Sequence, residues 1–166
     1  IIYDDEGNAT KANLAVKKLI TQDKVLAVIG PSTSGNSMAV VPLAAKHKTP
    51  LVSAAASYKI VTDDKTGKQR KWVFKVPQSD TMAVEAIYTH LKKRGINKVA
   101  IMSATSGYGG SGQGELKRLA PDYGMTIVAD EKYGNKDTDL TAQLTKIKGT
   151  DAQAIVNWTI GPAQIT

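Results

Sequence analysis

Three stretches of small and hydroxyl-bearing residues stand where a ligand could be held. The first is Gly30-Pro31-Ser32-Thr33-Ser34-Gly35-Asn36-Ser37. Its spacing imitates a phosphate loop, but Asn36 occupies the position of the lysine that would reach the β- and γ-phosphates, which excludes nucleoside triphosphate hydrolysis. What remains is three hydroxyls and unpaired N–H groups at the start of an expected helix. Such a site favours an anion by roughly 0.3–1 kcal/mol from the helix dipole alone, and a carboxylate fits it. The plainer reading is that Ser34 caps the helix. The second stretch is Ser53-Ala54-Ala55-Ala56-Ser57, whose small side chains let a ligand approach the backbone, or let a helix pack closely.

The third stretch, Gly107-Tyr108-Gly109-Gly110-Ser111-Gly112, satisfies G-x-G-x-x-G, and Asp130 follows near the end of the next expected strand, where a ribose-binding acid belongs. Two readings stay open. One is an NAD(P)-dependent enzyme using Gly107, Gly109 and Gly112. The other is a ligand loop that displays Tyr108. Ser103-Ala104-Thr105-Ser106 separate the strand from the first glycine, which counts against the dinucleotide. No catalytic constellation is found. His47 and His90 sit in lysine-bearing helical stretches without a serine–aspartate pairing or metal-ligand spacing. Asp4-Asp5-Glu6 reads as a helix-capping turn before it reads as a cation site. With no cysteine, thiolate catalysis, disulfides and Cys-ligated metals are excluded. No cofactor and no metal are expected.

The elements that must position these stretches alternate. Short β-branched runs fall at Ile1–Tyr3, Val25–Ile29, Leu51–Ser53, Trp72–Val76, Val99–Met102, Thr126–Ala129 and Ala154–Trp158. Between most of them run helical patterns: Thr10 to Gln22, Gly35 to Lys48 with a kink or late start at Pro42, Ser79 to Arg94, a segment ending near Tyr123, and Asp137 or Asp139 to Lys148. Gly161-Pro162 opens a further helix. Alternating strands and helices imply parallel sheets with right-handed crossovers. A long loop at 54–71 and the break at Pro77 divide the chain into two α/β lobes, residues 1–77 and 78–166.

The 166 residues are 42% hydrophobic and 22% charged, as in a folded chain, and no apolar run nears the ~20 residues needed to span a bilayer. Of the net charge of +7, residues 1–77 carry +6, much of it at Lys65, Lys68, Arg70 and Lys71. That segment reads as a solvated loop. No aromatic interleaves with it, as base stacking requires, so no nucleic-acid partner is expected.

Taken together, Tyr3-Asp4-Asp5-Glu6-Gly7-Asn8, Val28 to Gly35, Thr49-Pro50-Leu51-Val52 with Ser53 to Ser57, Phe74-Lys75-Val76, Lys98 to Ser103 and Tyr108-Gly109 resemble one family across essentially the whole chain. It is that of the type I periplasmic solute-binding proteins of branched-chain amino-acid ABC transporters. The resemblance implies two doubly wound parallel-sheet lobes with a ligand cleft between them and no catalysis. It implies a ligand such as an amino acid or another small carboxylic acid, and membrane permease subunits as partners. It implies a periplasmic or extracellular location, free or lipid-anchored. It makes Ser34 the serine that grips the ligand carboxylate, lets Ala55 or Ala56 offer backbone groups, sets Ser57 where many members have threonine, and matches Tyr108 to the tyrosine of the second lobe's loop. A sensory receptor of the same fold is the other role it allows. Geometry adds to this. In a sheet of order 2-1-3-4-5, ligands sit where the winding reverses, at the carboxyl ends of strands 1 and 3. Ser34 then stands at one switch point, and Tyr108, Trp158 and Thr159 at the other.

The same strand order carries an expectation about completeness. Ile1–Tyr3 reads as strand 2 of the first lobe and Val25–Ile29 as strand 3, so strand 1 is absent between them. The chain opens Ile-Ile-Tyr with no initiator Met, as a truncated or processed chain would. Both lobes are expected to be incomplete, and the 166 residues are not expected to form an independent, ligand-competent monomer.

Overall fold

The computed structural model describes residues 1–161, so the helix expected to open at Gly161-Pro162 lies outside the described residues. The chain divides into two compact units, Ile1–Ser79 and Asp80–Thr166.

In the first unit, helix α1 (Ala9–Thr21) begins where the Asn8 side chain accepts the N–H groups of Thr10 (2.9 Å) and Lys11 (3.1 Å). It turns Ala12 and Val16 inward, with Leu19 and Ile20 packed beside them. Strand β1 (Val28–Ile29) follows, then helix α2 (Ser34–His47), strand β2 (Leu51–Ser53), a short 3-10 turn (Tyr58–Ile60) and strand β3 (Val73–Lys75). The strands are parallel in the order β1-β2-β3. Their core joins Val28, Val40, Val41, Ala44, Leu51, Ile60 and Val73. Helix α2 runs through Pro42 and starts at Ser34, not late. Val40, Val41 and Ala44 flank the proline and are buried. Their burial, at roughly 1.5–3 kcal/mol for each full-sized side chain, outweighs the ~3 kcal/mol that an interior proline costs.

Ile1–Tyr3 is not a strand, contrary to its β-branched pattern. Among the described residues, β1 is the sheet's edge and no strand lies beyond it, so residues 1–3 have no ladder to join. Ile1 and Ile2 are exposed.

The second unit runs α3 (Asp80–Lys93), β4 (Lys98–Ala104), α4 (Gly107–Tyr123), β5 (Thr126–Tyr133), α5 (Thr141–Lys148) and β6 (Ala154–Trp158). Its parallel strands are ordered β5-β4-β6, the 2-1-3 arrangement the pattern predicts. β4 is central, and from Val99 to Ala104 every residue is buried, which is the continuous apolar run expected of a strand covered on both faces. Helices α3 and α4 pack through Val84, Tyr88, Leu116 and Leu119. The Tyr88 hydroxyl donates to the Leu116 carbonyl (2.7 Å), and burial pushes its pKa up to about 12. A polar seam joins the same two helices. Thr81 Oγ1 donates to Glu115 Oε2 (2.6 Å), Arg118 grips the same carboxylate with two nitrogens (2.9 and 2.8 Å), and Ser111 donates to Asp80. Asp139, not Asp137, holds the start of α5, accepting the Thr141 N–H (2.8 Å); Asp137 folds back onto the Gly134 N–H (2.7 Å).

Candidate functional site

In the first unit the loops after β1 and β2 emerge side by side from the carboxyl end of the sheet. A serine lattice ties them. Ser37 and Ser53 share a hydrogen bond between hydroxyls (2.8 Å), and both hydroxyls reach the Pro31 carbonyl (3.1 and 3.4 Å). That carbonyl also accepts the Ala54 N–H (3.1 Å), while the Ser53 hydroxyl accepts the Ala55 N–H (3.1 Å). All four serines, Ser34, Ser37, Ser53 and Ser57, are buried.

Ser34 is not the cap of α2. That position belongs to Thr33, whose side chain makes no capping bond, and Ser34 is the first helical residue. Its hydroxyl instead accepts the Ser57 N–H (3.3 Å), joining the helix start to the loop after β2. The Ser57 hydroxyl in turn accepts the Lys59 N–H (3.2 Å). Ala55 is buried and Ala56 half-buried on the same loop. Ser34, Ala55, Ala56 and Ser57 therefore share one small region of the first unit. Asn36, in the first turn of α2, belongs with them: it is buried, and its amide nitrogen has no hydrogen-bond partner among the described residues. Sequence reasoning used Asn36 only to exclude a phosphate loop. Its signal was an amide in the first helical turn directly after the hydroxyl run.

In the second unit Tyr108 lies in the first turn of α4 and Trp158 at the end of β6, with ring centroids 5.6 Å apart. Trp158 is 6% exposed and belongs to the core cluster, yet among the described residues its indole N–H has no partner. Its register partner on β4, Ser103, also keeps a buried hydroxyl without a partner among them. Two orphaned donors at adjacent strand ends are uncommon in a folded protein and mark a place where an acceptor is wanted. Ser103 was missed in the sequence because it reads there as the mere start of a glycine-rich stretch. Burial and the Asp80 charge raise the pKa of Tyr108, so its hydroxyl keeps its proton at neutral pH. Thr159 follows Trp158, half-buried, with its hydroxyl accepting the Gly161 N–H (3.0 Å).

The glycine-rich stretch is a helix start, not a loop. Ser106 caps it by accepting the Gly109 N–H (3.0 Å), and α4 begins at Gly107. Two of its glycines, Gly109 and Gly112, serve packing. A Cβ on Gly109 would lie 2.0 Å from the Ala104 carbonyl oxygen, and one on Gly112 would lie 2.2 Å from the Trp158 ring. Asp130, the expected ribose-binding acid, is already held, accepting from Gln113 Nε2 (2.6 Å) and pairing with Lys117. Burial works to raise its pKa, but the Lys117 and Gln113 contacts outweigh it and hold the carboxyl below its ordinary value. His47 and His90 are exposed. Among the described residues, no group of three histidine, aspartate or glutamate side chains is placed to hold a metal ion. No described helix is long and apolar enough to cross a membrane.

The family model described as periplasmic binding protein matches residues 1–166. An extracellular ligand-binding receptor from Rhodopseudomonas palustris HaA2 is 32% identical, with a TM-score of 0.87 over 98% of this chain and 45% of its own. The branched-chain amino acid transporter substrate binding protein LivJ from Streptococcus pneumoniae, solved in complex with isoleucine, is 31% identical, with a TM-score of 0.74 over 95% of this chain and 43% of its own. A leucine binding protein LivK from Thermotoga maritima MSB8, 24% identical with a TM-score of 0.81 over 93% of this chain and 43% of its own, shares the fold. The chain thus spans less than half the length of the structures it matches. It belongs to the periplasmic binding protein family.

Proposed function

We propose that this member of the periplasmic binding protein family is part of an extracytoplasmic solute receptor serving an ABC importer. Its ligand is a small carboxylate, with a branched-chain or other amino acid foremost. It performs no chemistry on that ligand and passes it to membrane permease subunits. The observation that carries the reading is the pair of serine-tied loops in the first unit, where buried Ser34 and Ser57 stand at the N-terminal end of α2. Backbone and hydroxyl donors at a helix N-terminus suit a carboxylate. In this reading Ser34 and Ser57 hold the carboxylate, and Ala55 and Ala56 offer backbone groups. Tyr108, Trp158 and Thr159 supply the second unit's share. The tilted Tyr108–Trp158 pair suits an apolar side chain. The complex of the 31%-identical pneumococcal protein with isoleucine supports an aliphatic amino acid.

Titration calorimetry of the full-length protein with isoleucine, leucine, valine, benzoate and NADH tests the reading. Saturable binding of at least one of the four small acids, with no response to NADH, is the expected result. Tight NADH binding with no response to any of the acids would overturn it.

A further inference from the structure

The first unit holds a concavity built from other residues than the serine-tied loops. Its volume is about 480 Å³, within the range of small-molecule sites. Val41 and Ala45 of α2 and the ring of Trp72 make its apolar part, while Lys48, Lys68 and Lys71 stand around it. The basic segment is the solvated loop its composition suggests, exposed from residue 64 to 69, and it is tied at its base: Thr62 bridges Gln69, and the N–H groups of Asp63 and Arg70 bond back to the Lys68 and Val61 carbonyls (2.9 and 2.7 Å).

Three features of this concavity converge. The first is charge. Asp63 is the only acid of its lining, and it is spoken for, since Arg70 Nη1 sits on it at 2.8 Å. The N–H groups of Thr66 and Lys65 also turn to Asp63, and these contacts, that of Thr66 foremost, hold its pKa below the ordinary value. Lys48, Lys68 and Lys71 make no ion pair among the described residues, so the lining keeps three uncompensated cations. The second is an aromatic face: Trp72 is 39% exposed although it adjoins the start of β3. The third is conformation. Trp72 has φ 69° and Lys48 has φ 53°, a region that bulky side chains occupy at a cost, and one that glycine would occupy more readily. The Trp72 carbonyl accepts the Leu51 N–H (2.8 Å), which fixes that backbone turn from the neighbouring strand. The Lys48 value is that of the left-handed residue that ends α2, the Trp72 value lies outside any helix cap, and both side chains line the one cavity.

We infer that this concavity, lined by Trp72 and ringed by Lys48, Lys68 and Lys71, binds a small aromatic anion, stacking its ring on the Trp72 indole and setting its anionic group among the lysines. An apolar ligand alone would leave three cations uncompensated. An inorganic anion alone would leave the indole face and the Val41–Ala45 wall uncovered. The site is separate from the serine-tied loops and does not depend on what those loops bind.

The test titrates ¹⁵N-labelled full-length protein with 2-naphthoate and follows the Trp72 indole N–H resonance, assigned by its loss in Trp72→Phe. The neutral probe is 2-naphthalenemethanol. The resonance should move saturably with 2-naphthoate and bind the neutral analogue at least about tenfold more weakly, which is ~1.4 kcal/mol. Lys68→Gln and Lys71→Gln, both on the exposed surface, should each weaken 2-naphthoate by roughly twofold to fivefold, as loss of a partly screened surface ion pair does. Three results would each overturn the inference. One is no saturable shift for dissociation constants up to about 5 mM. Another is equal affinity for the neutral probe, and the last is undiminished affinity in both glutamine variants.

Discussion

Gly112→Ala puts the packing of the second unit to a direct test. Gly112 lies in the second turn of α4, and a Cβ built there falls 2.2 Å from Trp158 Cε2 and Nε1 and 2.3 Å from Cδ2. Ordinary carbon contacts need about 3.5–4.0 Å, so the indole must retreat by more than an ångström. It has little room to do so. Trp158 is 6% exposed and packed within the Val84, Leu116 and Val156 cluster. Overpacking of this kind costs about 1–3 kcal/mol, whereas exchanging glycine for alanine inside a helix returns about 1 kcal/mol. An overlap this deep belongs in the upper part of that range, at about 2–3 kcal/mol, so the clash wins with a net loss of about 1–2 kcal/mol, which for a chain of this size lowers Tm by about 2–8 °C. Gly110, two residues earlier in the same helix, has nothing within 4 Å of its Cβ position. Gly110→Ala should therefore raise Tm by a few degrees through helix propensity alone. Circular dichroism melts of the two variants give the answer. A Gly112→Ala protein as stable as Gly110→Ala would refute the account of why these glycines are present, and with it the placement of Trp158.

Ser34→Ala should weaken isoleucine or a related ligand by about 1–3 kcal/mol in calorimetry, because a carboxylate loses a charge-assisted hydrogen bond. It should also lower the stability of the ligand-free protein by about 0.5–1.5 kcal/mol, since the Ser57 N–H loses its acceptor; an unchanged Tm would show that the 3.3 Å contact is idle. Asp130 has a folded pKa below its ordinary value, so its ionised form stabilises the fold above the unfolded pKa of about 3.9, and that contribution is lost as pH falls through the folded value. In urea unfolding, Asp130→Asn should therefore be less stable than the parent by a constant amount between about pH 5 and 8, with the gap shrinking below about pH 4. A gap that persists at pH 3 would contradict the assignment.

The alternation of strands and helices was legible because its signals are local. The apolar 3.6-residue repeat from Thr10 and the unbroken Val99–Met102 run each carry their own structural instruction, whereas the cap itself falls on Asn8 and not on the acidic turn before it. The 2-1-3 order comes with the doubly wound architecture; parallel pairing alone also allows the sequential β1-β2-β3 of the first unit. Non-local features were not legible. Ile1–Tyr3 has strand composition, but a strand requires a neighbour, and residue type says nothing about whether one is present. Glycines in the pattern G-x-G-x-x-G look the same whether they admit a phosphate or a tryptophan ring. Only the distance from Gly112 to Trp158, 46 residues later, separates the cases. Ser34 is similar: a hydroxyl at a helix start reads as a cap until the Ser57 N–H is found beside it. Lys68 and Lys71 are as solvated as they read; the concavity beside them was not legible because its far wall is α2, distant in sequence.

The serine lattice of the first unit has a consequence for how quickly and how firmly a ligand is held. The Pro31 carbonyl and the Ser53 hydroxyl hold the Ala54 and Ala55 N–H groups, and the Ser34 hydroxyl holds that of Ser57, so the loop 54–57 is tied through bonds internal to the chain. Immobilising backbone costs roughly 1–2 kcal/mol per residue, and in these four residues that entropy is surrendered during folding, before any solute arrives. On the proposed function, a solute reaching this loop meets backbone already tied down by folding, so little of that ordering cost is left to association. Differences among solutes are then expected chiefly in how long each one stays.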